Sequence, residues 1–137
     1  MRNYLVGLAL LFMLLLTGCA HKNSVVGTWV STTTSPSGII LRQTWQFTAD
    51  GKNTTSVLAT NGPRSGMALS STGTYTVNGS TMTQTIQTMS EPGRTVIVPR
   101  PHTSTYQYVL DGNTLKITGG GSKDYAGLNL TLTRQAS

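Results

Sequence analysis

The chain has 137 residues, ten Lys and Arg against four Asp and Glu, a net charge of +6 and only 10% charged residues. That length supports one domain with its own core and excludes two. Six aromatic residues (Trp29, Trp45, Phe47, Tyr75, Tyr106 and Tyr108) recur through alternating segments, which excludes the aromatic-poor, highly charged composition of a disordered chain.

The first segment has the layout of an export signal. Arg2 and the free amino group precede an apolar run from Leu5 to Leu16. A positive start followed by a short apolar stretch is the pattern of a signal helix, and the run is shorter than the ~20 residues that cross a bilayer. It ends in Leu16-Thr17-Gly18-Cys19, which resembles a bacterial lipobox. The resemblance implies cleavage before Cys19 and acylation of its thiol and new amino group by chains such as palmitate. Residues 1–18 then form the leader, 19–25 a lipidated tether and 26–134 the domain. Cys19 is the only cysteine. Lipid on it leaves no disulfide, so the fold must rest on its core and hydrogen bonds.

After the tether, Thr, Ser and Gly dominate, while Leu, Ala, Glu and Lys are too sparse for long amphipathic helices. In chain order, strands are expected over 26–34, 39–48, 53–60, 71–78, 81–89, 94–98, 103–110, 113–119 and 127–134. Asp50-Gly51, Asn78-Gly79 and Asp111-Gly112 mark hairpin turns. If Asn78-Gly79 and Asp111-Gly112 are the two turn residues, Tyr75 pairs with Met82, Tyr108 with Leu115 and Tyr106 with Ile117. Each tyrosine then meets an apolar partner on one face. Pro99-Arg100-Pro101-His102 interrupts the pattern, because proline cannot donate to a ladder, and an exposed loop is expected there. With no crossover helix in sight, the fold class is all-β: an antiparallel up-and-down β-barrel of about eight strands following the signal helix.

Five pieces in order are similar to small bacterial lipocalin-like domains of the calycin type. They are Val26-Gly27-Thr28-Trp29, Trp45-Gln46-Phe47-Thr48-Ala49-Asp50-Gly51, Gly73-Thr74-Tyr75-Thr76-Val77, Leu110-Asp111-Gly112-Asn113-Thr114-Leu115 and Leu132-Thr133-Arg134. The resemblance implies that Gly27, Trp29 and Arg134 close one end of the barrel, with the arginine over the tryptophan. It also implies a barrel lined by Trp45, Phe47, Tyr75, Val77, Met82, Tyr106, Tyr108, Leu115 and Ile117. These side chains either surround a small apolar or amphipathic ligand or simply fill the barrel. The domain is shorter than a typical ligand-carrying lipocalin.

The residues argue against chemistry. Asp50 and Asp111 sit in turns, Glu91 precedes a proline, and Asp124 follows Lys123 beside a glycine run. His21 lies in the tether and His102 beside Pro101, too far apart for a metal site. No Gly-x-Ser-x-Gly elbow occurs, and Gly119-Gly120-Gly121-Ser122-Lys123 lacks the spacing of a phosphate loop. The expectation is a non-enzyme without metal or cofactor. The scattered basic residues and exported location argue against nucleic acid. The expected partners are the membrane, through Cys19, and either a small hydrophobic ligand or an envelope protein. In the second case the domain is an interaction or inhibitor module, favoured by an exposed aliphatic strip at Val96-Ile97-Val98. Ala20 is not the aspartate that retains lipoproteins in the inner membrane of Gram-negative bacteria, so in a source with two membranes sorting to the outer membrane, facing the periplasm, is expected.

Overall fold

The computed structural model describes residues 24–120 and 127–136. The leader, Cys19, His21, Gly121 and Asp124 lie outside the described residues. Eight strands follow one another: β1 (Gly27–Thr34), β2 (Ile40–Phe47), β3 (Lys52–Ala59), β4 (Ala68–Asn78), β5 (Thr81–Glu91), β6 (Arg94–Asp111), β7 (Thr114–Gly119) and β8 (Leu128–Arg134). Each pairs antiparallel with its neighbour, and β8 returns to β1, giving a closed up-and-down barrel. Closure removes the sheet edges that would otherwise expose unpaired backbone groups.

Alternation sets the inward face. Trp29 on β1, Trp45 and Phe47 on β2, Tyr75 on β4, Met82 on β5, Leu115 and Ile117 on β7, and Leu130 and Leu132 on β8 form the core with Val25. Tyr106, Tyr108, Leu110 and Leu128 pack against it. Threonines and serines mostly take the alternate, outward positions, where β-branching suits the pleat and the hydroxyls meet water.

Two hairpins depart from the expected register, each by two residues. Asn78 pairs with Thr81 and Val77 with Met82, so Tyr75 stands opposite Gln84. Asp111 pairs with Thr114 and Leu110 with Leu115, so Tyr108 meets Ile117 and Tyr106 meets Gly119. The turn residues are therefore Gly79-Ser80 and Gly112-Asn113. Glycine takes the first central position in each, with φ of 58° and 54°, and among the described residues no other residue type has positive φ. A turn with glycine first needs left-handed geometry only at that residue, whereas the Asn-Gly alternative would also force the asparagine left-handed. A slip of two preserves side-chain parity, so the inward face is unchanged.

The expected loop at residues 99–102 is instead part of β6, an 18-residue strand. Pairing with β5 jumps from Thr88–Ile97 to Ile86–His102, so residues 98–101 face a bulge. On its other side β6 pairs with β7 only from Tyr106 onward. Pro99 and Pro101 thus sit where no ladder bond is asked of them, and the missing N–H groups cost nothing. Pro92-Gly93 likewise makes a tight turn, with Gly93 at φ 80°, between the paired Glu91 and Arg94.

The β4–β5 ladder shifts register between Thr72 and Gly73, with Gln87 as the extra residue on β5. A Cβ on Gly73 would lie 1.9 Å from the Thr85 carbonyl oxygen. That obstacle is backbone and cannot rotate aside. Gly73→Ala should lower stability by about 2–3 kcal/mol, read as a lower urea midpoint with an unchanged slope; a wild-type midpoint would show that the bulge relaxes freely.

Candidate functional site

The two ends of the barrel differ. At one end the start of β1 meets the end of β8. Arg134 pairs with Trp29 in the ladder and places its guanidinium 4.2 Å from the centre of the indole. Its Nη1 donates to the Val26 carbonyl at 2.8 Å and its Nη2 to the Ser24 carbonyl at 2.7 Å. The Trp29 Nε1–H donates to the Val25 carbonyl at 2.7 Å. Gly27 has φ 135°, and a Cβ there would sit 2.7 Å from Arg134 Nη1. Glycine is needed on both counts. Three consecutive carbonyls before β1 are thereby tied down, by the indole N–H and both terminal guanidinium nitrogens. This end has the chemistry of a plug. Arg134→Met should cost about 3 kcal/mol, from two charge-assisted hydrogen bonds and the cation–π contact. Thermal unfolding of the two proteins side by side tests it; equal Tm values would mean the plug is dispensable.

The middle is packed. Phe47 and Tyr75 meet edge to face at 4.8 Å, Trp45 lies 6.1 Å from Phe47, and Tyr106 stands nearly perpendicular to Trp45 at 6.3 Å. Tyr75 also donates its hydroxyl to the Thr48 carbonyl at 2.8 Å. Burial first, and the nearby Asp50 charge second, push its pKa upward, so it remains a neutral donor. Of the nine residues expected to line the barrel, Trp45, Phe47, Tyr75, Met82, Leu115 and Ile117 are buried core, and Tyr106 and Tyr108 pack against it. Val77 is corrected. It shares their face and pairs with buried Met82, yet it is 46% exposed. It sits beside the Gly79-Ser80 turn, where the hairpin runs past the plugged end.

At the opposite end a half-open cavity of about 510 Å³ remains. Its walls are Val57 on β3, Leu69 on β4, Met89 on β5, and Val96, Val98 and Pro99 on β6, with Thr55, Ser70, Ser71, Ser90 and Glu91 as the polar part of the lining. None of the nine expected lining residues belongs to it. β4, β5 and β6 run on toward this end and carry the apolar inner face upward as a wall. The volume falls within the range of small-molecule sites, ~300–1,000 Å³.

Sequence reasoning missed these residues because no one of them stands out. The signal was present in two places. Val57 alternates inward after Thr55, and Val96-Ile97-Val98 is an aliphatic run. The run is split: Val96 and Val98 turn into the cavity while Ile97 faces outward and is 77% exposed.

Below the cavity floor is a second unexpected group. Asn53, on the inner face of β3, is 2% exposed, and neither its Nδ2 nor its Oδ1 makes a hydrogen bond to the protein. Gln84 and Ser71 are also buried; the Ser71 hydroxyl bonds that of Thr55 at 2.6 Å. Among the described residues no group of three His, Cys, Asp or Glu side chains converges as metal ligands would. Asp50 is engaged with Lys52 at 2.8 Å and with the Thr48 hydroxyl, contacts that hold its carboxyl down at about 2. His102 is exposed, with Nε2 3.1 Å from the Ser104 hydroxyl.

No protein-family model, curated protein or solved structure matches this chain. The closed eight-stranded antiparallel barrel is consistent with a lipocalin-like fold.

Proposed function

We propose that this chain is a membrane-anchored envelope lipoprotein whose lipocalin-like barrel binds a small apolar or amphipathic molecule without transforming it. The observation that carries the reading is the apolar cavity of about 510 Å³ at the open end, above a packed and plugged barrel. Apolar walls left facing water are costly unless something covers them, and a cavity of this size is the ordinary place for a ligand. The anchor rests on the Leu16-Thr17-Gly18-Cys19 tetrapeptide, placed directly after the apolar run, with outer-membrane sorting read from Ala20.

Leu69 lines the cavity and is 54% exposed, so a charge there should spoil ligand binding without unfolding the protein. Leu69→Asp should weaken binding of N-phenyl-1-naphthylamine, a fluorescent apolar probe, by tenfold or more, with Tm within a few degrees of wild type. Unchanged probe affinity would remove the cavity from the argument. The anchor is tested separately: labelled palmitate fed to expressing cells should be incorporated into the wild-type chain and not into Cys19→Ser. Equal labelling of both would sink the lipobox reading.

A second reading, an interaction or inhibitor module of the envelope, draws support from one observation. Ile97 is 77% exposed on the outer face of β6, where that strand has no pairing to β7. An envelope protein retained by wild type, lost with Ile97→Lys and unaffected by Leu69→Asp would favour the module over the carrier.

A further inference from the structure

The cavity has a direction. On the inner face of β3 and β4, three cross-strand pairs follow one another from the mouth downward: Val57 with Leu69, Thr55 with Ser71, and Asn53 with Gly73. The first two pairs line the cavity. The third lies one inward step further, ~7 Å along the strand. The column therefore runs from aliphatic side chains, through two small hydroxyls, to a carboxamide facing a residue with no side chain. The hydroxyls of Thr55 and Ser71 are bonded to each other. The Asn53 carboxamide is bonded to nothing in the protein, although a buried amide normally has partners for both ends. Size and polarity thus lead from the mouth to an unused donor and an unused acceptor.

The surroundings restrict what could meet them. The buried residues include no Lys, Arg or His among those described, and Glu91 stands at the mouth. A charged head would lose its water with no counter-ion, and an anionic one would also pass a carboxylate. An uncharged head that donates and accepts at once would satisfy both atoms of the carboxamide.

Resting on the carrier reading above, we infer that the ligand is a neutral single-chain amphiphile whose head parts the bonded Thr55 and Ser71 hydroxyls at the cavity floor and reaches Asn53 one step below them. It enters head first, with a primary amide or alcohol group hydrogen-bonded to Asn53. Its chain lies against Val57, Leu69, Met89, Val96 and Val98.

The test uses the full chain in phospholipid nanodiscs, with empty discs as the blank. Octanamide is compared with N,N-dimethyloctanamide, which keeps the chain and carbonyl but has no N–H, and with octanoate. Wild type should bind octanamide at least fivefold more tightly than either, the effect of one net hydrogen bond. In Asn53→Leu the two amides should bind within about twofold of each other, with affinity for the apolar fluorescent probe retained. A preference that persists in Asn53→Leu, or no preference in wild type while the probe still binds, overturns the role of Asn53 alone. Failure of wild type to bind the probe overturns the carrier reading with it. If Asn53→Leu does not fold, the side-chain NH2 resonances of Asn53 in wild type decide. They should shift with octanamide and not with the dimethyl compound; resonances that stay put would mean the carboxamide holds only solvent.

Discussion

The structure depends on how the sheet is shut. β1 meets β2 along its whole length, from Gly27–Phe47 to Thr34–Ile40, but it meets β8 only through Trp29–Arg134 and Val30–Thr133. A seam of two pairs is a weak closure by backbone bonds alone. Arg134 compensates with its side chain, gripping two carbonyls ahead of β1 and covering the indole of Trp29. Because its donors go to carbonyls rather than to a carboxylate, the closure involves no acidic group and does not depend on ionising one. The absence of a side chain on Gly27 is what lets the guanidinium lie that close. A single arginine thus does at the seam what several more ladder bonds do elsewhere.

Closure at one end lets the other remain open. The aromatic and aliphatic residues near the plug are buried against one another and fill that part of the barrel. Stability is therefore supplied by the lower half. β4, β5 and β6 continue beyond that half; the extra residue Gln87 turns Met89 inward, where Val96 pairs with it and Val98 follows by alternation to complete a wall. The prolines of β6 sit in the resulting bulge. The same irregularity that sequence rules read as a break in the sheet is what shapes the cavity.

Much of the fold was legible because it rests on local rules. Alternation placed the inward residues, glycine-containing turns placed the hairpins, and the resemblance to lipocalin-like domains implied the plug of Gly27, Trp29 and Arg134. What was not legible depended on long-range geometry. Whether glycine takes the first or second turn position decides the register by two residues, and pattern alone treats both as equal. Whether Pro99 and Pro101 end a strand depends on what stands on either side of it. Val77 shows the limit of parity: it faces the right way but lies past the barrel rim. Asn53 was hidden by its neighbours, because in Asn53-Thr54-Thr55 it reads as a polar strand residue, and only the closed barrel buries it.

The positions of the plug and the cavity also bear on orientation. The chain enters the barrel at Ser24, beside Arg134, and β1 then carries it eight residues away toward the open end, a climb of ~26 Å. An anchor at Cys19 would hold the protein by its sealed base. Under the proposed anchoring, an upright barrel would point its mouth away from the bilayer and into the aqueous compartment. A cup held that way would be poorly placed to draw molecules from the membrane beneath it. It would be well placed to receive them from something passing above, or to offer them to it.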